Sequence, residues 1–253
     1  MSTVGIIGEG VVGTALKRHL SSTSSVQLRV FDKYKESHET LENVILNSRI
    51  LFLCLPTPAL EIEDKYDISE ISWVLERLEK DHFQGPVILQ STVLPGTTQS
   101  LQRVYHSLFL LHLPEFLSCR TADHDIGAKP TPIYLGASAT CPVAIRNEVY
   151  AFLQSTFPSR DIWTMRCTET ESTKFFCNAF YAAKLSMFQE FYKICSDHSQ
   201  DCSFEIVRQA MLQQKWIHPS HTYVPGTESN FTIGGTCLPK DFRVFLAKYG
   251  NPF

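Results

Sequence analysis

The chain has 253 residues, 43% of them hydrophobic and 19% charged, with a formal net charge of -3, which suits one large globular domain or two modest ones. That balance gives no electrostatic reason to expect nucleic acid or an anionic membrane as partner, and no run of about 18 apolar residues offers a transmembrane helix. The opening "MSTVGIIGEG" enters a strand pattern at once, without a basic segment and apolar core, so no signal peptide is expected and the cytoplasm is the expected compartment.

Five short apolar runs mark the first half as strands: Thr3–Gly8, Val26–Phe31, Ile50–Leu55, Pro86–Ser91 and Ser107–His112. They lack clean polar alternation, as strands of a parallel sheet covered on both faces do. Between them, "VVGTALKRHL", "DISEISWVLERLEK" and the stretch after Pro95-Gly96 have helical spacing. "TPIYLG" and "RDIWTM" add further strands around the helical "CPVAIRNEVYAFLQ". The alternation predicts an α/β fold with a Rossmann-like, doubly wound, mostly parallel sheet.

The texture changes after Thr168. "TETESTKFFCNAFYAAKLSMFQEFYKICSDH" holds no Gly or Pro and predicts one long helix, with an apolar stripe at Phe176, Phe180, Ala183, Met187, Phe191 and Ile194. A second helix is expected over "SFEIVRQAMLQQ", then loop, then a last helix over "LPKDFRVFLAKYG" with Pro239 near its start. The expected division is a nucleotide-binding domain at 1–168 and a mainly helical domain at 169–253.

"GIIGEGVVG" places Gly8-x-Gly10-x-x-Gly13 directly after the first strand and into the first helix. The first glycine permits the turn, the second a close approach of pyrophosphate, the third tight helix–strand packing. Val11 and Val12 belong to the same phosphate-binding turn at the helix N-terminus. Asp32, at the end of the second strand, stands where an acid binds a ribose 2′-hydroxyl, which favours NAD over NADP; Lys33 and Lys35 leave the other choice open.

Eight cysteines, at Cys54, Cys119, Cys141, Cys167, Cys177, Cys195, Cys202 and Cys237, form no C-x-x-C pair and read as reduced thiols, with no metal expected. The sequon Asn230-Phe231-Thr232 then reads as a chance match. Cys237 precedes the last helix, beside Lys240, in electropositive surroundings of the kind that activate a nucleophile. Asp241 falls one turn on. Taken alone, such a cysteine is more often a structural thiol. Glu171, Lys174, Asn178 and Tyr181 line one face of the long helix, where a Lys and an Asn one turn apart are able to hold a developing alkoxide. The bland alternative is a solvated face with a Glu–Lys pair.

Taken together, "GIIGEGVVG", "LCLPTP", "STVLPGTT", "PEFL", "ESTKFFCNAFYAAKLSMFQE" and "GGTCLPKD" resemble, in order and spacing, the UDP-glucose/GDP-mannose dehydrogenase family, from residue 4 to the end of the chain. The resemblance implies oxidation of a nucleotide sugar at C6 to a carboxylate with two NAD. It implies Cys237 as the nucleophile that carries a thiohemiacetal and then a thioester, and Lys174 and Asn178 as stabilisers of the oxyanion. Thr92 and Asp241 would position water or assist proton transfer, and Glu115 would serve thioester hydrolysis. Thr57 and Thr92 would approach the nicotinamide side. It also implies a homodimer through the long helix, with a small-molecule substrate as the other partner.

Three features depart from that pattern. The family carries an Arg-Ile pair before the cysteine loop, its Arg reaching a substrate across the dimer, where this chain has "KWIHPSHTYVPG" with Trp216 at or near the place; Lys215 offers only a point charge. "TESNFTI" lengthens the segment between Pro225-Gly226 and the Gly-Gly pair. Relatives continue into a third, nucleotide-binding domain, whereas this sequence ends at Phe253 and reads as a short form. Three readings follow: an NAD-dependent dehydrogenase using Cys237, a catalytically impaired or regulatory NAD-binding module that pairs with a partner, and a two-electron dehydrogenase of the hydroxyacid type.

Overall fold

The computed structural model describes residues 2–23, 25–35, 39–60, 64–117, 126, 131–198, 201–224, 235 and 237–250. It divides into two compact units, one of residues 1–58 and 66–175, the other of residues 59–65 and 176–253.

The first unit is a seven-stranded sheet: β1 (Ser2–Ile7), β2 (Val26–Phe31), β3 (Ile50–Leu53), β4 (Pro86–Leu89), β5 (Phe109–His112), β6 (Ile133–Ala137) and β7 (Ile162–Arg166). The order is β2-β1-β3-β4-β5-β6-β7. β1 to β5 are parallel, β6 pairs with β5 antiparallel, and β7 follows β6 in parallel. The order therefore reverses at β1, with β2 on one side and β3 on the other. In a doubly wound sheet the ligand crevice opens at that point, beyond the strands' carboxyl ends.

Side-chain alternation divides the core in two. Val4, Ile6, Ile50, Phe52, Ile88 and Leu111 point to a layer completed by α1 (Val11–Ser21) and by a helix at Val143–Thr156. Leu51, Leu53, Val87, Leu89 and Leu110 point to the opposite layer, with α2 (Leu41–Leu46), α3 (Ser69–Lys80) and α4 (Thr97–Val104). Both faces of the central strands are buried, which is why their sequences read as continuous apolar runs. α2 has no counterpart among the predicted helices. It is a six-residue helix whose start is fixed by Thr40, with Oγ1 accepting the Asn43 amide N–H at 3.2 Å.

With Val143–Thr156 as α5, the long helix is α6 (Cys167–Asp197), followed by α7 (Phe204–Gln213) and α8 (Cys237–Tyr249). The first part of α6, to Phe175, belongs to the first unit and the rest to the second. In the second unit Phe188 and Cys195 of α6 pack with Phe204 of α7, and Met211, Ile217 and Val224 close the cluster. The apolar stripe expected on α6 is not its buried face. Phe176, Phe180, Met187 and Ile194 are exposed, while Phe175, Ala179, Ala182, Phe188 and Cys195 are buried. Among the described residues no helix is long and apolar enough to cross a membrane.

Candidate active site

The phosphate-binding turn is built by steric exclusion. Gly8 has φ of 97°, and a Cβ there would stand 2.5 Å from the Cys54 carbonyl oxygen. A Cβ on Gly13 would stand 2.0 Å from the Gly8 carbonyl oxygen, so the first turn of α1 lies against the end of β1. At Gly10, by contrast, a Cβ would meet nothing within 4 Å, and no side chain caps α1. That leaves the first amide N–H groups of the helix, from Val11 to Gly13, for the oxygens of a ligand. Asp32 directly follows β2, with its carboxylate aimed at this loop: Oδ2 accepts the Glu9 amide at 2.7 Å and Oδ1 the Tyr34 amide at 2.9 Å. A carboxylate oxygen has a second lone pair, so a ribose diol still finds acceptors. Open backbone donors beside an oriented acid fit a pyrophosphate joined to an unphosphorylated ribose. These residues fit NAD.

The turns after β3 and β4 are bonded to one another. Ser91 Oγ donates to the Leu55 carbonyl at 2.7 Å and accepts the Leu55 amide at 3.1 Å, while Thr57 Oγ1 donates to the Thr92 carbonyl at 2.7 Å. Thr57 and Thr92 are thereby brought together at the carboxyl end of the sheet. The turn after β5 delivers Glu115, whose Oε2 accepts the Leu117 amide at 2.6 Å and whose Oε1 stands 3.5 Å from Lys174 Nζ. Lys174 is nearly buried, and its ammonium lies 5.2 Å from the centre of the Phe116 ring. A cleft opens here, lined among others by Val12, Gln90, Glu115, Phe116 and Arg160.

Two buried groups around Lys174 escaped the sequence reading of roles. Glu171 has no solvent exposure, and rather than pairing with Lys174 it accepts the Gly96 amide at 2.6 Å and the Thr98 amide at 2.7 Å. It thus caps α4 from another helix. Burial raises its carboxyl above the usual range, and the hydrogen bonds from residues 96 to 98 oppose that shift. His112, at the end of β5, is fully buried with Nδ1 2.9 Å from Thr170 Oγ1. Because Thr170 Oγ1 donates to the Cys167 carbonyl at 2.8 Å, it accepts from His112, which puts the ring proton on Nδ1 and a bare lone pair on Nε2. That nitrogen has no hydrogen-bond partner among the described residues. Burial, opposed by the Ser91 backbone and helped by the Lys174 charge, pushes the His112 pKa down to about 4. No motif signals either role; only the fold brings residues so far apart in sequence together.

The second unit holds the remaining candidates. Asn178, in α6, donates from Nδ2 to Asp241 Oδ2 at 2.6 Å, and Lys240 Nζ stands 3.0 Å from Asp241 Oδ1. Both Asn178 and Asp241 are buried, whereas Cys237 is exposed and is itself the first residue of α8. Gly234 and Thr236 of the cysteine loop lie outside the described residues, as do "TESNFTI", the sequon at Asn230, and Cys119. Trp216 is 93% exposed. The segment after it is tied to α6: Lys184 Nζ donates to the Ser220 carbonyl at 2.8 Å, and the Tyr181 and His221 rings stack with centroids 4.4 Å apart.

Residues 26–154 match the UDP-glucose/GDP-mannose dehydrogenase family, NAD binding domain, and residues 168–251 the central domain of the same family. A UDP-glucose 6-dehydrogenase of Campylobacter jejuni is 26% identical over 215 residues, 83% of this chain and 51% of that protein. A GDP-mannose 6-dehydrogenase of Pseudomonas aeruginosa is 27% identical over 220 residues, covering 80% of this chain and 47% of that protein. Among solved structures, a UDP-glucose dehydrogenase of Pyrobaculum islandicum superposes with a TM-score of 0.80 at 19% identity, over 97% of this chain and 63% of the other. The chain thus spans about half the length of the curated relatives it matches. With both matched domains present in order, and Asp32 within the NAD-binding one, the chain belongs to the UDP-glucose/GDP-mannose dehydrogenase family.

Proposed function

We propose that this protein oxidises the C6 hydroxyl of a nucleotide sugar to a carboxylate, with Cys237 holding the substrate between two oxidations. The observation that carries the reading is the buried Asn178–Asp241 pair, 2.6 Å apart, with an exposed Cys237 one helical turn before Asp241. A thiol at a helix N-terminus has the local field that favours nucleophilic attack. NAD, when bound, supplies the hydride acceptor for each of the two oxidations.

The protein's own residues then have distinct tasks. Lys174 and Asn178 donate to the oxygen that gains charge, first as alkoxide and then as the tetrahedral oxyanion. Cys237 Sγ adds to the aldehyde carbon to give a thiohemiacetal, which after the second oxidation is a thioester. Water attacks that thioester, releasing the carboxylate and returning the thiol. Asp241 orients the reacting hydroxyl or water, and Glu115 accepts the proton of the hydrolytic water. Thr57 and Thr92 carry the wall against which the nicotinamide lies. The Lys174–Glu115 separation of 3.5 Å suits two groups that share one small space without a tight pair.

A second copy of the chain is the partner this reading assigns to α6. Its outward stripe of Phe176, Phe180, Met187 and Ile194 is 47 to 64% exposed, an arrangement of apolar side chains that a homodimer would cover.

A second reading has its own observation. The nearly fully exposed Trp216 stands at or near the family's substrate-binding Arg, and suits a module that binds NAD and docks on a partner rather than turning over a sugar. NADH production over a panel of UDP- and GDP-sugars, run beside Cys237→Ser, separates the two. Turnover lost in the variant supports the first; NAD binding without turnover of any sugar sinks it in favour of the second.

A further inference from the structure

Directly after β2 come two charges of opposite sign in succession, Asp32 and Lys33, and the structure treats them differently. Asp32 is anchored by two backbone amides and faces the glycine turn. Lys33 is committed elsewhere. Its Nζ lies 2.9 and 3.2 Å from the two carboxylate oxygens of Glu70, in the first turn of α3. Tyr34 Oη donates to the same carboxylate at 3.0 Å. The ammonium also lies 4.9 Å from the centre of the Trp73 ring and 5.5 Å from that of Tyr34. The other cations along this edge are engaged too: Lys35 Nζ donates to the Glu9 carbonyl, and Lys17 Nζ stands 2.6 Å from Glu9 Oε1.

A ribose 2′-hydroxyl needs only an acceptor, which Asp32 provides. A 2′-phosphate needs a cation with N–H donors and is repelled by Asp32. The cation next to Asp32 in sequence is Lys33, so the choice between the two cofactors depends on what holds that side chain. We propose that Glu70 is a specificity-determining residue for the cofactor: by holding Lys33 against α3 it makes the ribose site select NAD and reject NADP. To use Lys33, a 2′-phosphate must break its contacts with Glu70 and Trp73, and it leaves the Glu70 carboxylate as a further repelling charge. The ion pair also holds the Glu70 carboxyl below its usual range, so that charge is present at neutral pH.

The assignment rests on the reading of the first unit as an NAD-binding domain, and the test measures binding alone, with no sugar present. Titration calorimetry compares NAD and NADP on the full chain, Glu70→Gln, and Glu70→Gln with Lys33→Met. Glu70→Gln is expected to tighten NADP about fivefold, the scale of one exposed ion pair, while NAD changes less than about twofold. The double variant is expected to lose that gain, because the gain acts through Lys33. An unchanged NADP affinity in Glu70→Gln, or a gain kept in the double variant, overturns the assignment. A wild-type protein that binds neither nucleotide overturns the NAD-binding reading and the assignment with it.

Discussion

Asn178 and Asp241 meet at 2.6 Å, amide donor to carboxylate acceptor, with side chains drawn from α6 and α8 and almost no solvent exposure. The pair fixes the helix that begins at Cys237 by a buried hydrogen bond to a charged group. Asn178→Ala should therefore cost about 1–3 kcal/mol of stability in urea unfolding. It should also lower kcat more than it raises KM, because the amide is assigned to charge that develops only in the transition state. A variant with wild-type kcat would remove Asn178 from the catalytic group.

The protonation of His112 sets a pH dependence. The native ring is neutral, with its pKa pushed from 6.5 to about 4, so between those values the unfolded chain binds the proton and the folded one does not. Stability then falls as the pH drops through this window, by on the order of 3 kcal/mol for the whole shift. Chemical denaturation from pH 7 to pH 4 should show a shallower loss in His112→Gln than in the wild type. Equal slopes would mean that His112 is accessible to protons in the folded state.

The cysteines should differ sharply in reactivity. Burial pushes Cys141 and Cys167 up to about 11 and Cys54 higher still, which leaves almost no thiolate at neutral pH. Cys237 is exposed at the head of α8. Brief iodoacetamide treatment followed by peptide mass mapping should find Cys237 alkylated and those three intact. Modification of Cys141 or Cys167 at the rate of Cys237 would contradict this ordering.

The outward stripe of α6 predicts self-association. Light scattering across micromolar concentrations should give twice the chain mass, and Phe180→Glu with Met187→Glu should shift it to the monomer. A monomeric wild type would leave that face to another occupant.

Much of the sheet could be read from the sequence because its strands are buried on both sides: β2 was expected at Val26–Phe31 and is found there, and β4 and β7 begin within two residues of their predicted starts. The glycine turn and Asp32 were legible because steric exclusion and ribose recognition leave few residue choices. α2 was not, since six residues carry less than two helical turns of pattern and its signal is one Thr40 cap. Periodicity separates two stripes on α6 but leaves open whether the polar one is solvated. The polar row of Glu171, Lys174 and Asn178 is buried and the aromatic row exposed, since each polar group finds a partner that local sequence does not reveal: the amides at 96 and 98, Glu115, and Asp241. For the same reason nothing in the sequence separated the fate of Lys33 from that of Asp32; Glu70 lies 37 residues on.

The central claim is a two-step oxidation held on Cys237, and the ratio of NADH formed to nucleotide sugar consumed tests it most directly. Two NADH per sugar, with a uronate as product and turnover abolished in Cys237→Ser, is the predicted result. One NADH per sugar, with the same rate in Cys237→Ser, would contradict it.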